Sequence, residues 1–565
     1  MFTRREVLKA GAVAGAAVML PWGCGSSGSG GRTYPASVPD NITKYIDSLP
    51  LPLVLQPARF VDGAPYYEVL MSECRQQLHS QFPLTTLWGY NGMYPGPTIE
   101  TRKNRKIKVE WINNLPNTNK HLLDYAYDTF LHGTNMDEPR VRAVVHLHGG
   151  HVPPESDGWP FAWITPGNSA LFDYPNLQNA TTLWYHDHVI GVTRLNVYAG
   201  LAGFYIVRDD FEDGLNLPKG AYEIPLVIQD RAFNKDGSLS FPVRNPVEIP
   251  TSSQHPGTWV PESFGDVILV NGKVWPYLEV EARKYRFRIL NGSNARFYNL
   301  SIGGLNFNQI GSEGGLFISP VNLTSILLAP AERADVIVDF SGLAGQSIIM
   351  TNNASDGPFT GVLDSSDAAN PNTTGQIMLF KVKNVSAQDT SSIPLTLASI
   401  APLTEISAVR TRDFTLEEIV DQADEPIGLE INHMDFDDPI VDKPALGSVE
   451  VWRLINLTGD THPMHPHLFH FQVLDRRPFD AEGYLSTLGD FRSGVGPAPV
   501  LENYYTGPAV PPAENEKGWK DTVKANPEEV TRIIMRFEDF KGKYPFHCHI
   551  LEHEDNAMMI AYEVV

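Results

Sequence analysis

Asn271-Gly-Lys-Val-Trp-Pro-Tyr-Leu-Glu-Val280, followed by Tyr285-Arg-Phe-Arg-Ile-Leu290 and Asn291, sets the architecture of this chain. It reads as a turn, a Pro-bearing strand start, a polar bend, a second strand and a closing Asn. Asn-Gly favours a tight turn because both residues tolerate the left-handed backbone. Tyr285–Leu290 alternates at period two, the spacing of side chains on one face of a strand. The same order recurs at Asn91-Gly-Met-Tyr-Pro-Gly-Pro-Thr-Ile-Glu100 before Lys106–Trp111 and Asn113-Asn114. It recurs again at Asn432-His-Met-Asp-Phe-Asp-Asp-Pro-Ile440 before Val449–Ile455 and Asn456. The three starts lie 180 and then 161 residues apart. In Lys106–Trp111, Ile107, Val109 and Trp111 point one way, and Val530–Phe537 reads as a late strand. Helical periodicity is scarce, so the pattern predicts an all-β chain of sandwiches or barrels.

The 565 residues exceed one hydrophobic core, and the repeat divides them into three β-sandwiches. Joints near Asp209–Gly220 and Val382–Ser392 give units at 42–212, 219–385 and 392–565. With 42% hydrophobic and 19% charged residues the chain is globular, and 44 Pro and 46 Gly suit many strands joined by turns. A formal charge of −22 excludes nucleic acid as a partner. Asp480–Trp519, rich in Gly, Pro and Asn, reads as a long surface loop.

The N-terminus, Thr3-Arg-Arg-Glu-Val-Leu-Lys9 and then a short apolar run to Leu20, resembles a bacterial twin-arginine export signal. With the Gly/Ser tract that follows, it makes residues 1–31 a signal and flexible leader, and the chain an exported, periplasmic or extracellular protein. Cys24, after Pro-Trp-Gly, is a poor match to a lipoprotein cleavage site. No later segment reads as a membrane span. Cys24, Cys74 and Cys548 are the only cysteines, too few for a disulfide framework, and Cys74 reads as a small buried apolar residue.

Cys548 differs. It lies in Tyr544-Pro-Phe-His-Cys-His-Ile-Leu-Glu-His-Glu-Asp-Asn-Ala-Met558, between His547 and His549, with His553 and Met558 beyond. Ten of the 17 histidines fall into four clusters: His146/His148, His186/His188, His462/His465/His467 and His547/His549/His553. In extended chain, His at i and i+2 share a face while the residue between faces away. His547 and His549 therefore aim at one site and the Cys548 thiol at another, joined by a short stretch of backbone. Two His, a Cys thiolate and a weak axial Met make a blue-copper set, here His462, Cys548, His553 and Met558. The other eight imidazoles suit three coppers, two with three His each and one with two. Such a cluster binds O2 and delivers four electrons. A zinc pair on a helix, His549 and His553, is the competing reading. Pro545 and the alternation argue against a helix starting there, and zinc gives Met558 no role. Asp157 and Glu554 stand near the clusters as relays for the four protons that O2 reduction consumes. His79, His121, His132, His151, His255, His433 and His470 carry no partner pattern, although His151 and His470 lie beside the clusters.

These residues resemble the multicopper oxidases over essentially the whole mature chain. The closer likeness is to the bacterial spore-coat laccase and bilirubin oxidase branch. It is carried by Leu87–Ile99, by Leu183-Trp-Tyr-His-Asp-His188 with Thr193–Gly200, and by Tyr505–Pro512 with Lys517-Gly-Trp-Lys-Asp521. The resemblance implies three cupredoxin-like Greek-key domains and four copper ions, one type 1, one type 2 and two type 3. It implies that His146 and His465 bind the type 2 ion, and that His148, His186, His188, His467, His547 and His549 bind the type 3 pair. It assigns Asp157 and Glu554 to proton and O2 handling. Its partners are O2 and a small-molecule electron donor, phenolic, aromatic or bilirubin-type, which meets an exposed edge of His553; the protein itself is expected to be a monomer. A metallo-oxidase of Cu(I) or Mn(II) is the nearest rival. A copper-free cell-division protein of the same fold is the remote one. Two local departures are His151 after Gly149-Gly150 and Pro466 between two ligands; a Pro there requires a sheet edge.

Overall fold

Each copy of the repeat turns on an asparagine of positive φ: Asn91 at 52°, Asn271 at 49° and Asn432 at 57° in the computed structural model. Asparagine tolerates this conformation because its short amide can bond locally. The Asn91 amide N–H donates to Leu70 O and its side-chain oxygen accepts from Leu70 N–H, at 2.7 and 2.8 Å. Asn271 does the same with Val227, and Asn432 with Thr415. The closing Asn also repeats its role. Asn113, Asn291 and Asn456 each accept the N–H two residues on, from Leu115, Ser293 and Thr458. The repeat is thus one hydrogen-bonding device used three times.

The structure describes residues 32–33, 42–244, 257–420 and 426–565. The expected signal and leader, with Cys24, and His255 lie outside them. The strand after each turn pairs in parallel with an earlier one: Ile107–Asn114 with Ala64–Gln76, Lys284–Asn291 with Glu223–Phe233, and Val449–Asn456 with Arg410–Val420. Around these pairs the main sheets fall into three sets of two. The first set has a five-stranded sheet and the four-stranded sheet of Gly96–Arg102, Ala202–Arg208, Thr181–Asp187 and Val145–His148. The middle set has eight and five strands. The last has five strands and the four-stranded sheet of Val523–Ala525, His462–Pro466, Gly542–Cys548 and Met559–Val564. Every candidate metal ligand lies on or beside one of these two four-stranded sheets.

Ile107–Asn114 alternates between buried and half-covered residues as its pattern predicts. Lys284–Asn291 does not: Arg286 and Arg288, expected on the outward face, are buried. They meet Glu212, Glu223 and Asp335, so this face is closed by paired charge. Asp480–Trp519 also departs from the loop reading. It opens with a helix, Ala481–Arg492, whose first turn is capped by the Asp480 carboxylate accepting from Gly483 N–H at 2.8 Å. Tyr484 and Leu485 pack with Phe479 and Leu501 beneath it. Cys74 is half-buried and free. Among the described residues no helix is long and apolar enough to cross a membrane.

Candidate metal centres

Strand geometry decides where each imidazole goes. His462 and His465 stand three apart on the strand His462–Pro466 and so face opposite ways, while His465 and His467 share a side. Pro466 pairs only with Phe546, because the other neighbour ends opposite Met464. The edge position that a proline requires is therefore present. The strand Gly542–Cys548 ends at the thiol, and a one-turn helix, Leu551–Asp555, swings His553 back over it. His549 and His553 consequently diverge instead of sharing a helix face.

The first centre is a triangle. Cys548 Sγ lies 3.6 Å from His462 Nδ1 and 3.7 Å from His553 Nδ1, and the two nitrogens are 3.3 Å apart. One ion bonded at about 2.0–2.3 Å to nitrogen and sulfur spaces three such ligands by roughly 3.5–4 Å. The outer nitrogen of His462 is held by Thr458 Oγ1 at 2.7 Å. Met558 is fully buried in the same apolar cluster as Cys548, and its carbonyl accepts from Cys548 N–H. Burial pushes the thiol well above its ordinary range and His553 well below its own; burial alone lowers His462 to about 3. A cation between them reverses that penalty at the sulfur, since a coordinated thiol is deprotonated. His553 keeps only 2% of its surface exposed, so the open edge expected there is reduced to a sliver.

The second centre gathers the remaining eight histidines. The ligand atoms of His148, His186 and His549 lie within 4.8 Å of one another, as do those of His188, His467 and His547, and of His146, His148 and His465. Half of these imidazoles come from the first unit and half from the last. His146 stacks on His467 and His148 on His465, each pair with ring centroids 3.7 Å apart. His146 Nε2, His148 Nδ1, His186 Nε2, His188 Nδ1, His465 Nε2 and both nitrogens of His549 are buried without a hydrogen-bond partner. Burial and mutual repulsion depress His146, His148, His467 and His549 far below the usual imidazole range, and burial first of all takes His186 and His465 to about 3. Neutral imidazoles converging with free lone pairs are what copper requires and what an apolar core forbids.

Both acids expected as relays, Asp157 and Glu554, stand at this cluster. Asp157 accepts from His146 Nδ1 through its carbonyl at 2.7 Å and from His467 Nδ1 through its carboxylate at 2.8 Å. Burial raises its carboxyl well above the ordinary range. Glu554 lies 3.2 Å from His547 Nδ1 and 3.7 Å from His188 Nδ1. Burial would raise it too, but those two imidazoles outweigh burial and hold it at about 2. Asp521 was not singled out by its sequence, yet its carboxylate meets His148 Nε2 at 3.2 Å and its carbonyl His465 Nδ1 at 2.6 Å. A single carboxylate far along the chain offers no local spacing to find it by. His151 bonds Leu468 O and the Asp539 carboxylate, tying the first unit to the last outside the cluster.

Three segments match the multicopper oxidase family: residues 75–123 with 131–212, residues 246–377 and residues 406–565. The laccase of Bacillus subtilis (strain 168) is 46% identical over 528 residues, covering 92% of this chain and 98% of that one. The laccase of Haloferax volcanii is 37% identical, covering all of this chain and 91% of its own. Among solved structures, the laccase from Pediococcus acidilactici Pa5930 superposes with a TM-score of 0.70 at 27% identity, covering 93% of this chain and 95% of that one. McoA from Aquifex aeolicus gives 0.69 at 29%, covering 93% and 100%. The three sandwiches are cupredoxin-like domains, copper is the metal that the convergent imidazoles fit, and this chain belongs to the multicopper oxidase family.

Proposed function

We propose that the chain is a laccase-like oxidase, coupling one-electron oxidation of phenolic, aromatic or bilirubin-type donors to four-electron reduction of O2 to two waters. The observation that carries this reading is the strand end His547-Cys548-His549: its thiol joins one buried triangle and its two imidazoles join two others. His462, Cys548, His553 and Met558 would hold the type 1 copper, His146 and His465 the type 2 ion. His148, His186 and His549 would hold one type 3 ion, and His188, His467 and His547 its partner. Bound copper supplies one-electron exchange at the thiol centre and four-electron reduction of O2 at the cluster.

The chain's own residues do the rest. Cys548 and its two neighbours form the covalent link between the centres, so charge crosses without a mobile carrier. Asp157, held above its ordinary range, carries a proton at its carboxyl beside His467. Glu554, held below its range, keeps an acceptor oxygen beside His547. Two carboxyls with opposed preferences suit donation and recovery of protons in a site closed to bulk water. Buried walls fix the ligand geometry before the metal arrives.

We propose units bounded at 42–212, 219–385 and 392–565, and a monomeric protein exported through the Arg4-Arg5 signal. Oxygen uptake by the copper-loaded protein tests the activity, with phenols, bilirubin, Cu(I) and Mn(II) offered separately. Turnover with the organic donors is the expected result. Turnover with the metal ions alone would make it a metallo-oxidase, and a purified protein that takes up no copper would make it a scaffold.

A further inference from the structure

None of the candidate copper ligands comes from the middle domain, yet one of its side chains reaches the cluster. Arg333 begins the strand Arg333–Asp339 and is fully buried. Its guanidinium forks onto both carboxylate oxygens of Asp521, with Nη1 donating to Oδ1 at 2.8 Å and Nη2 to Oδ2 at 2.5 Å. Its Nε donates to Thr182 O at 3.0 Å, on the strand that leads to His186. One side chain of the middle domain therefore grips the ligand-bearing strand of the first domain and a carboxylate of the third.

That carboxylate has a particular job. His146, His186, His465, His467 and His547 all make their outward bond through Nδ1, to a carbonyl or to Asp157. His148 does the reverse. Its Nε2 faces Asp521 Oδ1 and Thr522 Oγ1, both at 3.2 Å, and its Nδ1 is left unpartnered and buried. An acceptor at Nε2 fixes the proton there and frees Nδ1 as the ligand atom.

Gly149 supplies an independent observation. It follows His148 with φ +78°, and a Cβ built there would stand closer than 3.0 Å to both Asp521 Oδ2 and Arg333 Nη2. The left-handed backbone itself favours glycine there, and the bare position also lets the Arg333–Asp521 pair lie against it.

We propose that Arg333 is a positioning residue for the copper cluster: by clamping Asp521 it sets which nitrogen of His148 is offered to metal. This rests on the copper reading given above. A planar fork orients a carboxylate in a way that the single ammonium of lysine cannot. The pair thus couples the ligandless middle domain to the oxygen-binding centre.

The test compares wild type, Arg333→Lys, Arg333→Gln and Gly149→Ala, each loaded with Cu(II). Readouts are copper per chain, competition with a chelator, the electron paramagnetic resonance spectrum of the cluster, in which disturbing the His148 ion would unmask a signal from the coupled pair, the blue band and the thermal midpoint. Weakening such an outer contact lowers metal affinity by about 10–100-fold. The expected result is that loss for cluster copper in Arg333→Lys and Gly149→Ala, a larger one in Arg333→Gln, and an altered resonance. The blue band stays at its wild-type intensity as an internal control. Wild-type cluster affinity and an unchanged resonance in Arg333→Lys and Gly149→Ala would overturn the inference, even with a lowered thermal midpoint. If Arg333→Lys does not fold, Gly149→Ala carries the same comparison. A wild-type chain that binds no copper would instead overturn the copper reading itself, which keeps the two failures apart.

Discussion

At the scale of single residues, alternation along an extended strand lets three consecutive side chains serve two centres. Cys548 faces one way and its neighbours the other, so replacing the thiol should damage one centre and leave the second. Serine nearly matches cysteine in volume but offers no soft ligand. Cys548→Ser is therefore expected to fold, to lose the blue band and one of four coppers, and to stop turning over. Elemental analysis with a visible spectrum checks this, and a blue, active variant would remove Cys548 from the ligand set. The acids make a separate prediction. Burial raises the Asp157 carboxyl beside His467, and a positioned proton donor contributes about 10²–10⁴-fold in rate. Asp157→Asn should keep the blue band and its reduction by donor, while reoxidation by O2 slows by that order. Stopped-flow measurement of the two half-reactions separates them. Reoxidation at the wild-type rate would leave Asp157 as a structural partner of His467.

Elements show why some of this was legible in the chain and some was not. The repeat was readable because its turn needs a residue that tolerates positive φ and can bond its own neighbourhood, and Asn91, Asn271 and Asn432 meet both demands. The His-x-His pairs were readable because strand period two converts spacing into direction. The helix Ala481–Arg492 was not, since Gly483 and Gly489 mask it and only three of its residues are buried. Asp480 at its N-cap was the one local signal. Arg286, Arg288 and Asp521 were also illegible, because their partners lie far along the chain, some in another domain, and no local period records them. The turn itself can be tested. Asn271 Oδ1 accepts from Val227 N–H, and its Nδ2 donates to Pro50 and Pro225 carbonyls. Asn271→Ala loses these bonds and strains the left-handed backbone, for a cost of about 2–3 kcal/mol. Asn271→Gly loses the bonds without the strain and should cost about 1 kcal/mol less. Urea unfolding of both variants measures the difference, and equal losses would place the whole effect in hydrogen bonding.

The whole molecule holds many neutral histidines in its interior, and that sets how the copper-free chain responds to acid. Burial takes His121 and His188 to about 4 and His186, His462 and His465 to about 3, against roughly 6.5 in the unfolded chain. Between those values the unfolded state binds protons that the folded state refuses. Stability therefore rises with pH across this window and is lost as pH falls through about 6.5. Six carboxyls act in the opposite sense, and burial raises Asp157, Glu313 and Glu430 among them. Glu552 and Asp555 are pushed up to about 7 and Asp187 to about 8, chiefly by burial, so the folded state holds their protons longer and stability falls as pH rises toward those values. Carboxylates held low, such as Glu212 and Glu554 at about 2, add their loss only in stronger acid. Twelve histidines are depressed against six raised carboxyls, so the net slope between pH 6.5 and 4 has the histidine sign. Each excess proton is worth about 1.4 kcal/mol per pH unit, and the net slope should exceed that of one proton. Copper steepens it further, because its ligands must shed their protons to bind. Urea midpoints of apo and copper-loaded protein across this range measure both slopes. A flat apo profile would mean that the imidazoles reach water when the metal is gone and that the cluster is not preformed.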